Sequence, residues 1–414
     1  MSYNHKIIFH VDFDSYFVSA ARTLRPELKN KPVAIGKKHS GAIATSISYE
    51  LKNLKFKPGD SIWKIKQTVP NLVVVEPHFE LYTFLSSKIF DYLHNRYSKI
   101  IEIVSIDECF IDVTNIASSY QKAYDIAKKI QNDVLNLFKI PLTIGISYNK
   151  FLAKMTTNIN KPFGIGITTK EQIAEHFYHL KLEKFYGIGS STAQKLEKIG
   201  LKTIGDLATK ESNSFLINDT LGIVGKDLII EAKGLGSDHV KTENNDLKSI
   251  GNSLTFESFE LDTREDIFAI LKSLILKVST RADNRNLVGN VVTLLIRKKG
   301  RGWNNKQVKL ESYINKYKEI LEVANLIFNK VYNEEKIIGI GIKLSNLINY
   351  FDLYKKTNLF TSLKKENKIE KIIDQVNYKT GKKSVFTLYE YKKNKIKDHS
   401  QSKFLLEDTI FKKH

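Results

Sequence analysis

Two acidic pairs in this 414-residue chain could do chemistry together: Asp12 and Asp14 in Val11-Asp12-Phe13-Asp14, and the adjacent Asp107-Glu108. Crowded carboxylates repel one another, so such a set needs a cation or some raised pKa values. A ligand set of Asp and Glu oxygens suits Mg²⁺ or Mn²⁺, hard ions that also take phosphate oxygens. Two such ions about 3.5–4 Å apart clamp an attacking hydroxyl and a leaving phosphate in line. Either pair alone reads equally well as something plainer. Asp12 and Asp14 would cap the helix that follows, and Asp107-Glu108 would fill a hairpin turn.

What favours a shared site is the order of elements around the pairs. Lys6–Val11 reads as a buried strand, and Glu80–Tyr97 has the apolar spacing of an amphipathic helix (Leu81, Phe84, Leu85, Tyr92, Leu93). Two strand-like runs follow, Ile100–Val104 and Cys109–Val113, then a helix over Ser118–Phe138 and a strand over Leu142–Ile146. With the 17–77 insert set aside, this is β-α-β-β-α-β, a ferredoxin-like order. Right-handed crossovers make strands one and two parallel, with the third between them running the other way. The end of the first strand and the turn between the second and third then share one rim of the sheet. All four carboxylates converge there.

Beyond the sheet, Tyr186-Gly187-Ile188-Gly189 followed by Ser190–Leu196 reads as a helix, a tight glycine hairpin and a second helix. Glycines let the backbone approach a nucleic acid, and free N–H groups at a helix start hold phosphate without reading sequence. A plain helix-connecting turn is the alternative. After a polar linker at 237–248, residues 249–346 read as strand, helix, strand, helix, strand, and 351–414 as a lysine-rich tail with one helix near Ile369–Val376.

Charge points the same way. The chain carries 65 basic and 45 acidic residues, a net +20 that suits a polyanionic partner. Only eight of the basic residues are Arg, so part of the excess is a general preference for Lys. Five of those arginines (Arg264, Arg281, Arg285, Arg297, Arg301) fall between 264 and 301, where Trp303 adjoins the turn at 297–302. A solvated charged loop is the alternative reading there. The single Cys109, the absence of a secretory leader and the lack of any apolar stretch of about 18 residues fit a soluble cytoplasmic protein.

Val11-Asp12-Phe13-Asp14-Ser15-Tyr16-Phe17 together with Ser105-Ile106-Asp107-Glu108 resembles the paired signature of the Y-family DNA polymerases, the DinB/UmuC translesion group of the DNA polymerase IV type. The likeness continues in family order through Thr45, Tyr49–Lys52, Gly145–Lys150, Ala153-Lys154, Lys161-Pro162-Phe163-Gly164 and Gly187-Ile188-Gly189, covering about residues 6–346. It implies an α+β multidomain fold: a ferredoxin-like palm (1–16 and 78–170), small fingers (17–77) and a helical helix-hairpin-helix thumb (171–240). A linker (241–248), an α+β little finger (249–346) and a basic tail (347–414) complete it.

The resemblance makes Asp12, Asp107 and Glu108 catalytic metal ligands, with the Phe13 carbonyl as a further one and two Mg²⁺ ions (or Mn²⁺) as cofactors. Asp14 is then not a ligand but a support for the turn. Phe17 matches the steric gate against a 2′-hydroxyl, and Tyr49, Lys52 and Lys161 match contacts to the incoming triphosphate. Lys52 departs from the family's usual Arg, exchanging a fork across two phosphate oxygens for a point charge. Ala21 stands where a Glu is common, with no metal ligand lost. Gly187 and Gly189, and Arg297 and Arg301, would meet DNA.

The implied partners are primer-template DNA and deoxynucleoside triphosphates, with the protein acting as a monomer. The sliding clamp would dock on Lys356–Phe360 or Tyr350–Tyr354, both lacking the usual leading Gln. Two other functions compete. A non-catalytic DNA-binding accessory protein would keep the shape without the reaction, and primer extension separates it. A nucleotidyl cyclase also places carboxylates on a ferredoxin-like sheet, but leaves the glycine hairpin and the Arg-rich segment without a purpose.

Overall fold

The computed structural model describes residues 6–38, 41–242, 247–256, 263–298, 300, 302–333 and 336–352. Arg301, Lys356–Phe360, Leu353 and Tyr354 of the second tail peptide, and the helix expected near Ile369–Val376 lie outside them. The described residues form two compact units, one ending at Thr242 and the other starting at Leu247.

The first unit is built on a five-stranded sheet whose order is Ile101–Ile103, Glu108–Asp112, Ile8–Phe13, Leu142–Ser147, Ile165–Ile167. Ile8–Phe13 lies centrally, antiparallel to both Glu108–Asp112 and Leu142–Ser147. Every residue of it is buried, the polar His10 and Asp12 included, as in a strand covered on both faces. The third strand does separate the first from the second. Two details differ from expectation. The first strand runs through Asp12 and Phe13 rather than ending before them, and Ile165–Ile167 adds a parallel edge strand.

Alternation divides the central strand's side chains between two layers. Phe9, Val11 and Phe13 join the core under helices Phe79–Arg96 and Tyr120–Phe138. Ile8, His10 and Asp12 point to the opposite face, where helix Lys150–Asn160 lies. That helix sits so close to the sheet that a Cβ on Gly145 would stand 2.1 Å from the Ala153 carbonyl oxygen and 2.4 Å from the Thr157 nitrogen. Only glycine permits this approach.

Between the first strand and helix Phe79–Arg96 lies a small body. Strands Ser46–Ile47, Val33–Ile35 and Val73–Val75 form its sheet, with helices Tyr49–Asn53 and Ile62–Thr68 alongside. On the other side of the sheet's sequence, helices Ser190–Lys198, Ile204–Ala208, Phe215–Leu221 and Ile223–Ala232 share a core with Phe151, Leu152 and Met155 of helix Lys150–Asn160. The helix expected before Gly187 is two short pieces, a π-helical turn at Ala174–Tyr178 and a 3₁₀ turn at Leu182–Lys184. Five residues lie between the buried Leu182 and Ile188, so the two anchor a short loop just before the hairpin.

The second unit has a four-stranded antiparallel sheet ordered Trp303–Ile314, Leu287–Lys298, Ile337–Asn349, Ser249–Thr255. Helices Arg264–Asn284 and Tyr317–Val331 cover the face bearing Val292, Leu294, Ile296, Ile340, Ile342 and Leu344. Strand Trp303–Ile314 was not expected. It is polar and exposed over most of its length, with only Val308, Leu310 and Ile314 alternating near its end.

Candidate active site

The strand pairing sets the site. Asp12 lies directly opposite Glu108, and His10 opposite Phe110, so these four side chains share the face that meets helix Lys150–Asn160. Potential ligand atoms of His10, Asp12 and Glu108 all lie within 4.8 Å of one another. Asp107 is one residue back in the turn, where its carbonyl accepts the Phe13 N–H at 2.8 Å and its carboxylate accepts the Ser105 hydroxyl at 2.6 Å. Burial raises the Asp107 carboxyl pKa, and the negative charges of Asp12 and Glu108 raise it further. That repulsion marks a site suited to a cation.

Two ammonium groups balance part of the charge. Lys161 Nζ stands 2.6 Å from Asp12 Oδ1, and Lys154 Nζ 2.5 Å from Glu108 Oε2. Burial works to raise the Glu108 carboxyl, but the hydrogen bond from Lys154 and its charge outweigh it and hold the carboxyl down at about 2. Burial pushes the His10 ring below its ordinary value. Lys154 and Lys161 are seven residues apart, about two helical turns, so one helix face and its C-terminal end deliver both. Neither His10 nor Lys154 carried a site role in the sequence reading. The seven-residue lysine spacing was the available signal.

Asp14 has a role other than capping. It is 2% exposed, and its carboxylate accepts hydrogen bonds from the Tyr49 hydroxyl (3.0 Å), the Thr143 hydroxyl (3.0 Å) and the Phe163 N–H (2.8 Å). The residue before the helix is Ser15, which makes no side-chain cap. Asp14 therefore ties three separate segments together beside the site. Burial raises its carboxyl pKa against the pull of these donors.

The Lys52 ammonium lies 4.2 Å over the Tyr49 ring, and burial and the neighbouring Lys161 charge lower its pKa. Tyr49, Lys52 and Lys161 thus gather at the same edge. Phe17 is half-buried and stacks on Tyr82 with ring centroids 4.3 Å apart and planes 8° from parallel, with Phe79 edge-on at 6.0 Å. Its ring is held by these aromatic contacts.

Gly187 takes φ +98°, where a side chain would be strained, whereas Gly189 has open space around it. Both are exposed, and Gly189 precedes helix Ser190–Lys198 with no side-chain cap, which leaves N–H groups for another acceptor. Tyr186, next to Gly187, places its ring 4.8 Å from Lys154 Nζ, linking the hairpin to the carboxylate edge. Arg297 belongs to the second unit, on the sheet face opposite the one that helices Arg264–Asn284 and Tyr317–Val331 cover, paired with Trp303 and Gly339. Its Nε is shielded yet has no hydrogen-bond partner among the described residues.

Known proteins resemble this chain over most of its length. Residues 11–158 match the impB/mucB/samB family and residues 247–353 that family's C-terminal domain. The chain is 33% identical to DNA polymerase IV of Oceanobacillus iheyensis, over 91% of this chain and 90% of that protein. The chain belongs to this family, that of the Y-family DNA polymerases. It is also 32% identical to DNA polymerase IV 1 of Bacillus subtilis over 92% of both chains. Among solved structures, a Y-family polymerase chimera of Dbh and Dpo4 superposes with a TM-score of 0.72 at 27% identity, covering 83% of this chain and 99% of that one. An insertion ternary complex of Dbh DNA polymerase matches with a TM-score of 0.59 at 26% identity, over 83% of this chain and 99% of that one. The mixed α+β architecture is that of these polymerases. No helix among the described residues is long and apolar enough to cross a membrane.

Proposed function

We propose that this chain is a template-directed DNA polymerase of the translesion type, and that the rim holding Asp12, Asp107 and Glu108 is its catalytic centre. The sheet would be the palm (1–16 and 78–170), the inserted body the fingers (17–77) and the helical body the thumb (171–240). After the linker (241–248) would come the little finger (249–346) and the tail (347–414). Asp12, Asp107 and Glu108, with the Phe13 carbonyl, would hold two divalent ions, which supply charge neutralisation at the attacking oxygen and the leaving pyrophosphate.

The remaining work falls to the chain's own side chains. Lys161 is 29% exposed and bonds only one carboxylate oxygen, so it can turn from Asp12 to a triphosphate. Tyr49 and Lys52 border the same space, Lys52 as a point charge. The Phe17 face offers a 2′-hydroxyl no partner and no room, which selects deoxynucleotides. The primer 3′-hydroxyl attacks the α-phosphate and pyrophosphate leaves. Glycine-hairpin N–H groups and the Arg297 face of the second unit hold the backbone of primer-template DNA.

The observation that carries this reading is the Asp12–Glu108 cross-strand pair with Asp107 beside it and two lysines seated on it. The test is primer extension by the purified chain with Mg²⁺ and deoxynucleoside triphosphates. Asp107→Ala with Glu108→Ala should abolish extension and leave DNA binding intact; equal extension by the double variant overturns the assignment.

A further inference from the structure

We propose that Lys154 is a resident counter-cation and positioning residue for Glu108, fixed by His10 and Tyr186, whereas Lys161 is a cation made to leave. Its part in the reaction rests on the polymerase reading above; its effect on ion binding does not.

The geometry separates the two lysines. Lys154 has a side chain 9% exposed, and its three N–H bonds have three neighbours: Glu108 Oε2 at 2.5 Å, His10 Nε2 at 3.4 Å and the Tyr186 ring at 4.8 Å. Nothing in that arrangement leaves it a donor for a substrate. Lys161 is three times as exposed, at 29%, and its one hydrogen bond among the described residues is to Asp12.

The orientation of His10 follows from Thr157. The Lys154 ammonium facing Nε2 has no lone pair to accept a ring hydrogen, and the Thr157 hydroxyl lies 3.0 Å from the Ala153 carbonyl and 3.1 Å from the His10 carbonyl, either of which takes its hydrogen. Its oxygen then accepts from His10 Nδ1–H at 2.9 Å. The Nε2 lone pair is left facing Lys154. Although His10 lies within reach of Asp12 and Glu108, its lone pair is spent on Lys154, and it serves the site by holding that ammonium.

Two consequences have opposite signs. Removing Lys154 takes one positive charge from beside Asp12, Asp107 and Glu108, which leaves the site more negative and more attractive to a divalent ion. The same change frees Glu108 from the contact that commits Oε2 and presents Oε1, so the reaction slows. Damage to the fold would weaken both properties together.

The experiment uses the full chain with Mn²⁺ as the probe, read by electron paramagnetic resonance without nucleotide or DNA. Lys154→Met should bind Mn²⁺ about five- to tenfold tighter, the size expected for a unit charge beside a divalent ion in a partly solvated site. Its kcat for primer extension should fall about tenfold or more with KM for the nucleotide unchanged, as for a group whose effect is confined to the transition state. Lys154→Arg keeps the charge and should keep wild-type Mn²⁺ affinity. Lys154→Gln is the second variant if Lys154→Met folds poorly. Weaker or unchanged Mn²⁺ binding in the neutral variants overturns the proposal. So does a raised KM with unchanged kcat, which would make Lys154 a triphosphate contact. If the wild-type chain binds Mn²⁺ but extends no primer, the polymerase reading falls and the Mn²⁺ comparison still decides the charge role of Lys154.

Discussion

Replacing Asp14 with alanine removes no proposed metal ligand, yet it should damage nucleotide use and stability together. The buried carboxylate accepts from Tyr49, Thr143 and the Phe163 backbone, which belong to three separate segments of the first unit. Each hydrogen bond of this kind contributes about 1–1.5 kcal/mol, and leaving the wholly buried Thr143 hydroxyl unpaired costs about as much again. Against this stands the relief of taking a carboxylate out of a site that raises its pKa. The balance is a loss of about 3 kcal/mol. With a urea slope of about 3 kcal/mol per molar for a unit of this size, the midpoint should fall by about 1 M. The assay is urea denaturation followed by circular dichroism, read at the first unit's transition. Because Tyr49 loses its anchor, KM for the nucleotide should rise while residual kcat persists. A midpoint shift below about 0.3 M would refute the tie. A complete loss of kcat in a well-folded variant would instead make Asp14 a ligand.

Two further outcomes follow from packing. Gly145→Ala places a methyl 2.1 Å from the Ala153 carbonyl oxygen, so helix Lys150–Asn160 must move off the sheet and carry Lys154 with it. Overpacking of this kind costs about 1–3 kcal/mol, and thermal unfolding should show it; an unshifted melt would mean the helix yields freely. Phe17→Ala removes the ring held against Tyr82 and should raise ribonucleotide incorporation relative to deoxynucleotide by about tenfold or more, in a competition assay. Unchanged sugar selection would remove Phe17 as the gate.

Much of the site was legible because it rests on strand topology. The apolar run before Asp12 and the two runs around Asp107-Glu108 fix a sheet order, and the order fixes a shared rim. What escaped was polar and buried. His10 reads as one more residue in a strand, and only the Asp12–Glu108 register shows that it faces helix Lys150–Asn160. Asp14 was legible as a non-ligand from family likeness, but its three donors are up to 149 residues away and no local pattern announces them. Strand Trp303–Ile314 escaped for the opposite reason: it is mostly exposed, so hydrophobic alternation, the signal that reveals half-buried strands, is confined to Val308, Leu310 and Ile314.

The charge of the chain shows why position outweighs sum. A net +20 predicts attraction to any polyanion, and lysines spread over the surface contribute to it without distinguishing one face from another. Lys154 and Lys161 act differently because helix Lys150–Asn160 aims them at carboxylates on a neighbouring strand pair. Burial strengthens each of these contacts, since a cation at 9% exposure is screened far less than one in water. It also divides their tasks. The lysine held by three neighbours cannot leave without stranding Glu108 and His10, and the lysine at the open helix end can. A site that must accept divalent ions and a triphosphate needs both kinds: one to hold the carboxylates ready, and one to give way.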